Sequence, residues 1–502
     1  MPPQPSHLLA DDPDERSLRA SVYPADWRNP APAPRYNLVV LGGGTAGLVS
    51  AVGAASVGAR VALVERRHMG GDCLNHGCVP SKALINAART LVRTRAAGDL
   101  GVRVGGGVEL DFAAAMARVR QIRAELAVHD SVARLTALGI DVFLGQARFV
   151  ASDAVEVSGQ RLRFARAVIA TGARPVVPAI PGLADAGFLT YESIPSLTSL
   201  PGRLVVLGAG SIACELAQTF QRFGSAVTLV TEDSRLLPRE DPDASAALLA
   251  SVTRDGIEVW TDTAVERVSR DAAGMSIVCR GRDAPHRADA LLVSTGRIAD
   301  LDGLDLARAD IRLDARGRIA DHRLRTTNRR VFAAGDSTST FQSTHAADAM
   351  ARIVVENALF HRRRSIRTLV VPRVTYTDPE VGHVGMSAED ARHRPDVRTL
   401  TVSMATVDRA VIDVAAEGFA RVHVGRRGRI LGATVVASNA GELIGEIGLA
   451  ITAGLSMATL GRTIHAYPTH GDVWKKLADA WRREKLTPPV LSTLRTFLRW
   501  QR

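Results

Sequence analysis

The sequence predicts an α/β protein with two βαβ dinucleotide-binding units and a separate C-terminal α+β unit, on three observations. A strand, a glycine-rich turn, a small-residue helix and a second strand occur in that order twice, in YNLVVLGGGTAGLVSAVGAASVGARVALVE and GRLVVLGAGSIACELAQTFQRFGSAVTLVTED. Short apolar runs that stop at a glycine recur between and after these units. From about residue 366 the texture changes to alternating strands followed by helices. A chain of 502 residues, 46% hydrophobic, has room for about three domains.

In chain order, residues 1–35 read as a tail. Their Pro, Asp and Arg content opposes early helix formation, and no basic start leads into an apolar export signal. The first unit carries Gly42-x-Gly44-x-x-Gly47 after an apolar strand. The first glycine allows the tight turn, the second lets backbone approach a pyrophosphate, and the third keeps helix close to strand. Glu65 falls 23 residues after Gly42, where a carboxylate accepts hydrogen bonds from a ribose. A lone glycine motif is weak evidence. Two copies in strand-turn-helix context imply two dinucleotides.

GGDCLNHGCVPSK follows at 70–82 and sets Cys73 and Cys78 five positions apart. A metal clip, a structural staple and a redox pair are the three readings. A zinc clip needs two more ligands, and no second cysteine pair exists. A cysteine-rich turn running into a helix, with Lys82 one turn after Cys78, supplies what stabilises thiolates. Lys82 stands apart because only four of the 63 basic residues are lysines, the others being Lys475, Lys476 and Lys485. His76 lies between the cysteines; a local base and a solvent-facing or capping histidine are both consistent with its position.

ARAVIATGARP at 165–175 ends a strand at Thr171 and Gly172. The second unit carries Gly208-x-Gly210-x-x-Ala213, and its second strand ends LVTEDSR, with Thr231 where NADH users tend to have a carboxylate. Glu232 opposes a 2′-phosphate and Arg235 favours one, so the nicotinamide cofactor stays NAD(P)H. ALLVSTGRIAD at 290–300 and RRVFAAGDSTS at 329–339 are further strands that stop at glycine, the latter setting Asp336 to bind a polyol or ribityl chain. The C-terminal unit carries strands in VTYTDPEVGHVGM and FARVHVGRRGRILGATVVA, helices around 441–453 and 471–485, and a tail at 491–502. Cys214 and Cys279 read as buried, inert thiols. The net charge of +11 is scattered and no groove-reading motif accompanies it, so no nucleic-acid partner is expected. Glycine clusters break the most apolar stretches, and no membrane span is expected. Four cysteines without an export signal indicate a cytoplasmic setting, in which a disulfide is catalytic or redox-sensing.

CLNHGCVPSK after a flavin-type glycine motif, then ATG, a second glycine motif, STGR, FAAGD, TDPEVGHVG and HAYPTHGD, in this order, resemble the class I pyridine nucleotide-disulfide oxidoreductases over about residues 36–485. The mercuric-reductase-like members are the most similar. The resemblance implies Rossmann-like domains for FAD (36–186 and 298–365) and NAD(P)H (187–297), and a dimerisation domain (366–490) in a homodimer. Its substrate would be a small molecule or metal ion. Cys78 would be the flavin-proximal thiol and Cys73 the interchange thiol, with no resident metal. Lys82 and Glu215 would form an ion pair near the flavin, although a solvated helix residue is the plain alternative for Lys82. Thr171, Gly172 and His345 would neighbour the flavin, although core packing accounts for Thr171 and His345 equally well.

Two departures matter. Thiol-disulfide members place a histidine base before the proline of this last motif, paired with a carboxylate five residues on. Here Tyr467 and Asp472 stand at those positions. Mercuric-reductase-type chains also carry a tyrosine but usually add a C-terminal cysteine pair, which TLRTFLRWQR lacks. The expected function is reduction of a metal ion such as Hg(II) through Cys73 and Cys78, with Tyr467 either near the ion or merely packing an interface. One alternative is a dihydrolipoamide dehydrogenase-like or other thiol-disulfide reductase using His76 or His470 as its base. Another is a low-turnover redox-sensing flavoprotein.

Overall fold

A computed structural model describes residues 12–338 and 341–502. The chain forms two compact units, one containing residues up to 208 with 219–230 and 264–369, the other 209–218, 231–263 and 370–502.

In the first unit, strand Tyr36–Leu41 lies between Val61–Glu65 and Gln160–Ile169, parallel to both. Asp141–Leu144 adds beyond Val61–Glu65, and Val331–Ala333 pairs in parallel with Gln160–Ile169. These β-branched and aromatic runs are apolar on both faces, as a parallel sheet covered on both sides requires. Tyr36, Phe143, Phe149 and Phe164 fill one side. Helices Thr45–Ser56 and Thr344–Leu359 pack together on this unit, which the glycines and alanines of the first helix permit. The neighbours of Tyr36–Leu41 lie on opposite sides, so the strand order switches there. The crevice beyond the strands' carboxyl ends is where such sheets bind ligands. Residues 42, 170 and 334 meet at that edge, with Ala170 N donating to Leu41 O at 2.7 Å and Ala334 N to Ile169 O at 3.0 Å.

The same unit holds a second parallel set, in which Arg203–Leu207 lies between Ala226–Val230 and Ala290–Val293. Ala173–Pro175 pairs antiparallel with Arg297–Ala299, which brings the 165–175 and 290–300 segments together.

The expected N-terminal tail differs from what forms. Residues 1–11 lie outside the described residues, and Pro13–Val22 is a helix. Asp12 caps it, accepting from Asp14 N and Glu15 N at 3.0 Å, and Pro13 occupies its first turn. Leu18 and Val22, one turn apart, are buried. Asp12 pairs with Arg120 at 2.6 Å and Glu15 with Arg123 at 3.0 Å. Acidic residues that look like a solvated tail are therefore cap and ion-pair partners.

The second unit is built on an antiparallel sheet in the order Arg373–Thr375, Glu380–Gly385, Ile430–Ala437, Phe419–Val424, Arg398–Ser403. Helices Ala440–Thr452 and Asp472–Glu484 contribute to its core, where Trp474 is fully buried. The expected C-terminal tail is a helix, Pro488–Trp500, that buries none of its side chains.

Candidate active site

The first glycine turn is closed by backbone. A Cβ on Gly42 would stand 2.3 Å from Ala170 O, and one on Gly47 would stand 1.8 Å from Gly42 O. Neither position tolerates a side chain. Buried Glu65 accepts from Gly43 N at 2.5 Å and from Arg67 N at 2.6 Å. Burial raises its pKa against the lowering effect of these donors. Thr171 sits at the edge of the turn, its buried hydroxyl without a partner among the described residues. Gly172 follows, its carbonyl accepting from Asp300 N at 3.0 Å.

The cysteine turn crosses directly over this glycine turn. Gly70 N donates to Gly43 O at 2.9 Å, and a Cβ on Gly71 would stand 2.5 Å from Gly44 Cα. Both Gly70 and Gly71 have positive φ, which side chains disfavour. Asn75 fixes the turn from inside, its amide donating to Met69 O at 3.0 Å and Gly71 O at 2.8 Å. Cys73 lies in the short helix Gly71–Asn75, and Cys78 opens helix Cys78–Arg95. Both are free thiols. A hydrogen bond with Cys78, then burial, pushes the Cys73 thiol up. Cys78 is exposed, and its Sγ lies 3.3 Å from Thr344 Oγ1. Lys82 stands part-buried one turn later on the same helix.

His76 is part-buried rather than solvent-facing. Its Nδ1–H donates to Glu192 O at 3.0 Å, and burial pushes its pKa down to about 3. The imidazole is neutral at physiological pH.

Asp72, immediately before Cys73, anchors a charge network. Its Oδ2 accepts from Arg297 Nη2 at 2.7 Å, while Arg297 Nη1 pairs with Asp336 Oδ2 at 2.8 Å. Tyr191 lies under the guanidinium, 5.5 Å from ring centroid to Cζ. Burial pushes the Asp72 pKa up to about 6, opposed by Arg297, although about a third of its side chain meets solvent. Asp336 is likewise raised by burial and lowered by Arg297. The sequence reading missed Asp72, Arg297 and Thr344. A carboxylate beside a reactive cysteine and an arginine in STGR were the available signals. His345 is exposed, with Nε2 at 3.1 Å from Ser343 Oγ, and its neighbour Thr344 makes the cysteine contact instead.

The second glycine turn repeats the geometry of the first. Gly208 N donates to Val230 O at 2.9 Å, and a Cβ on Gly208 would stand 2.3 Å from Ser294 O. Gly210 differs, being exposed with no heavy atom within 4 Å of an added Cβ. Ala213 is buried, Glu232 is exposed, and Arg235 Nη2 donates to Pro238 O and Glu240 O at 3.0 and 3.3 Å. Buried Glu215 accepts from Tyr376 N at 2.8 Å. Cys214 is fully buried, which pushes its thiol up to about 12, and Cys279 is buried too.

In the second unit, Tyr467 is 72% exposed and its hydroxyl donates to Asp408 Oδ2 at 2.8 Å. Asp472 forms no such bond and pairs with Lys476 at 3.6 Å. Its position at the helix N-terminus directs it along the helix, and Asp408 takes the place the sequence suggested for it. His470 Nε2–H donates to Asp413 Oδ2 at 3.0 Å, and His465 Nε2–H to Glu446 Oε1 at 2.9 Å. The buried Nδ1 of each has no partner among the described residues. Among these residues no group of three or more His, Cys, Asp or Glu side chains is arranged to hold a metal ion.

Two glycine turns, each closed by backbone at its first glycine and the first lying under the Cys73 and Cys78 turn, define a dinucleotide-dependent redox enzyme. The chain belongs to the pyridine nucleotide-disulphide oxidoreductase family, which it matches over residues 36–351, with the family's dimerisation domain over 371–478. It is 34% identical over 456 residues to a mercuric reductase of Streptomyces lividans, covering 89% of this chain and 96% of that one. It is 32% identical over 456 residues to the dihydrolipoyl dehydrogenase of Chlamydia trachomatis, covering 88% and 96%. Among solved structures, the HOCl-induced flavoprotein disulfide reductase RclA from Escherichia coli superposes with a TM-score of 0.80 at 30% identity, over 88% of this chain and 99% of that one.

The cofactors are those of the family, FAD and NAD(P)H. The residues present fit them. The unpartnered Thr171 hydroxyl and Asp336 stand at the strand ends beside the first turn, and Gly210 leaves open space at the second. Bound FAD supplies a two-electron relay between a nicotinamide and a dithiol.

Proposed function

We propose that the protein is a cytoplasmic, homodimeric reductase that delivers electrons from NAD(P)H through Cys73 and Cys78 to a soft metal ion such as Hg(II). Residues 36–186 and 298–365 would hold FAD, 187–297 NAD(P)H, and 366–490 the dimer interface. Cys78 takes the flavin-proximal role, Cys73 the interchange role, and Lys82 with Glu215 tunes the hydride-transfer locus electrostatically. Two thiolates suit a soft cation, forming two S–Hg bonds and releasing two protons. One NAD(P)H then supplies the two electrons that reduce Hg(II) to Hg(0); both S–Hg bonds break, the two thiolates take back the two protons, and NAD(P)+ and one proton remain.

The single observation that carries this reading is Tyr467. Dithiol-disulfide exchange needs a base to make the attacking thiolate, and a phenol titrating near 10 is a poor one. The hydrogen bond to Asp408 raises Tyr467 further and commits its proton. His76, its pKa pushed down to about 3 by burial, is a weak proton acceptor. The family's disulfide chemistry keeps a second reading open, and one observation favours it: His470, oriented by Asp413, keeps its Nδ1 lone pair unengaged among the described residues.

Tyr467→Phe and Tyr467→His, assayed with Hg(II) and with lipoamide, test the proposal. Phe should slow metal reduction, and His should raise disulfide turnover by about tenfold or more, as expected of a positioned base. Unchanged metal reduction in Phe, together with loss of lipoamide turnover in His470→Ala, would favour the second reading.

A further inference from the structure

We propose that the C-terminal helix Pro488–Trp500 docks the enzyme on an anionic lipid surface. Val490, Leu491, Leu494, Phe497 and Leu498 recur at the spacing of one helical face. None of the helix is buried, and Phe497, Leu498 and Trp500 are exposed, the last at 84%. Thr493 and Thr496 hydroxyls bond to carbonyls of the same helix, Pro489 O and Ser492 O, so they hold no neighbour. A face of this kind in water needs a cover.

Charge identifies the cover. Arg495, Arg499 and Arg502, at i, i+4 and i+7, flank the apolar stripe, and no acidic residue follows Glu484. Among the described residues no ion pair neutralises these three arginines. Leucine, phenylalanine and tryptophan on one side with arginines beside them match a helix lying in a membrane interface. A second copy fits less well. The family's dimerisation domain ends at residue 478, ten residues before the helix, and each copy carries +11. The helix does not cross a bilayer, because 13 residues span only about 20 Å. This inference is independent of the electron acceptor.

The test is co-sedimentation of the full-length flavin-loaded enzyme with phosphatidylcholine vesicles, with and without about one-third phosphatidylglycerol, at low and high salt. Binding should require the anionic lipid and weaken with salt. Each arginine near such a surface contributes roughly fivefold. Replacing Arg495, Arg499 and Arg502 by Gln should therefore weaken binding by about 100-fold. Leu494→Glu with Phe497→Glu should abolish it, while flavin content and size-exclusion mass stay unchanged. Failure of the wild-type enzyme to bind anionic vesicles, or indifference to both variants, would overturn the proposal. So would a fall from dimer to monomer in the glutamate pair, which would identify the cover as a second copy.

Discussion

The cysteine turn at 70–82 and the loop at 464–472 are built in opposite ways. In the turn, Asp72, Asn75 and His76 are each held by partners in the same unit, and Gly71 lies against Gly44 with no room for a side chain. In the loop, Ile464 is 96% exposed and Tyr467 72%, and the polar residues His465, Tyr467 and His470 each rest on one carboxylate. Electron transfer tolerates little positional error, so the dithiol is fixed before any substrate arrives. The loop presents Ile464 and Tyr467 outward and keeps the rings of His465 and His470 largely covered.

The largest expected effect breaks the fixed half. Cys73→Ser and Cys78→Ser should each lower metal-dependent NAD(P)H oxidation by about 1,000-fold or more, because neither thiolate has a substitute. The two should differ in spectrum. Cys73→Ser keeps the long-wavelength thiolate–flavin absorbance and Cys78→Ser loses it. Identical spectra would reverse or remove the assigned roles.

Next in size is Arg297→Ala, which leaves Asp72 and Asp336 facing each other without their cation. Breaking a part-buried network of this kind, one carboxylate of which meets solvent, costs about 2 kcal/mol. Urea denaturation should show that loss, and purified protein should retain less flavin. A change under about 0.5 kcal/mol would mean the network contributes little to holding the turn.

A smaller effect separates the halves by pH. The folded His76 pKa, about 3, lies below the unfolded value, so the unfolded chain takes up the proton first as pH falls. Its contribution is complete above about pH 6.5 and declines by about 2 kcal/mol on acidification to about pH 5. His76→Gln should flatten that part of the stability profile, measured by denaturation at both pH values. An unchanged slope would return His76 to solvent.

How much of this was legible in sequence depended on range. Gly42, Gly47, Glu65, Cys73 and Cys78 sit in local patterns, and the cysteine turn lies against the glycine turn, with Gly71 on Gly44 and Glu65 bonded to Gly43 N. The Arg297 bridge joins residues 225 and 39 positions apart, and the carbonyl that holds His76 belongs to Glu192. No window of sequence contains those contacts. Helix Pro13–Val22 was readable in part, since an Asp-Pro start followed by Leu and Val one turn apart is a local signal. The charges that obscured it are explained only by Arg120 and Arg123, about a hundred residues on. Tyr467 was legible as a departure, whereas its partner Asp408 was not, because the expected carboxylate at 472 turns toward Lys476.

The central claim is that the loop at 464–472, lacking a base at residue 467, directs electrons to a metal ion. Its most direct test is steady-state NAD(P)H oxidation by the wild-type enzyme with Hg(II) in excess thiol, set against lipoamide and glutathione disulfide in the same buffer. Turnover with Hg(II) at least about tenfold faster than with either disulfide is the predicted result. Efficient turnover of lipoamide or glutathione disulfide, with none dependent on Hg(II), would contradict it.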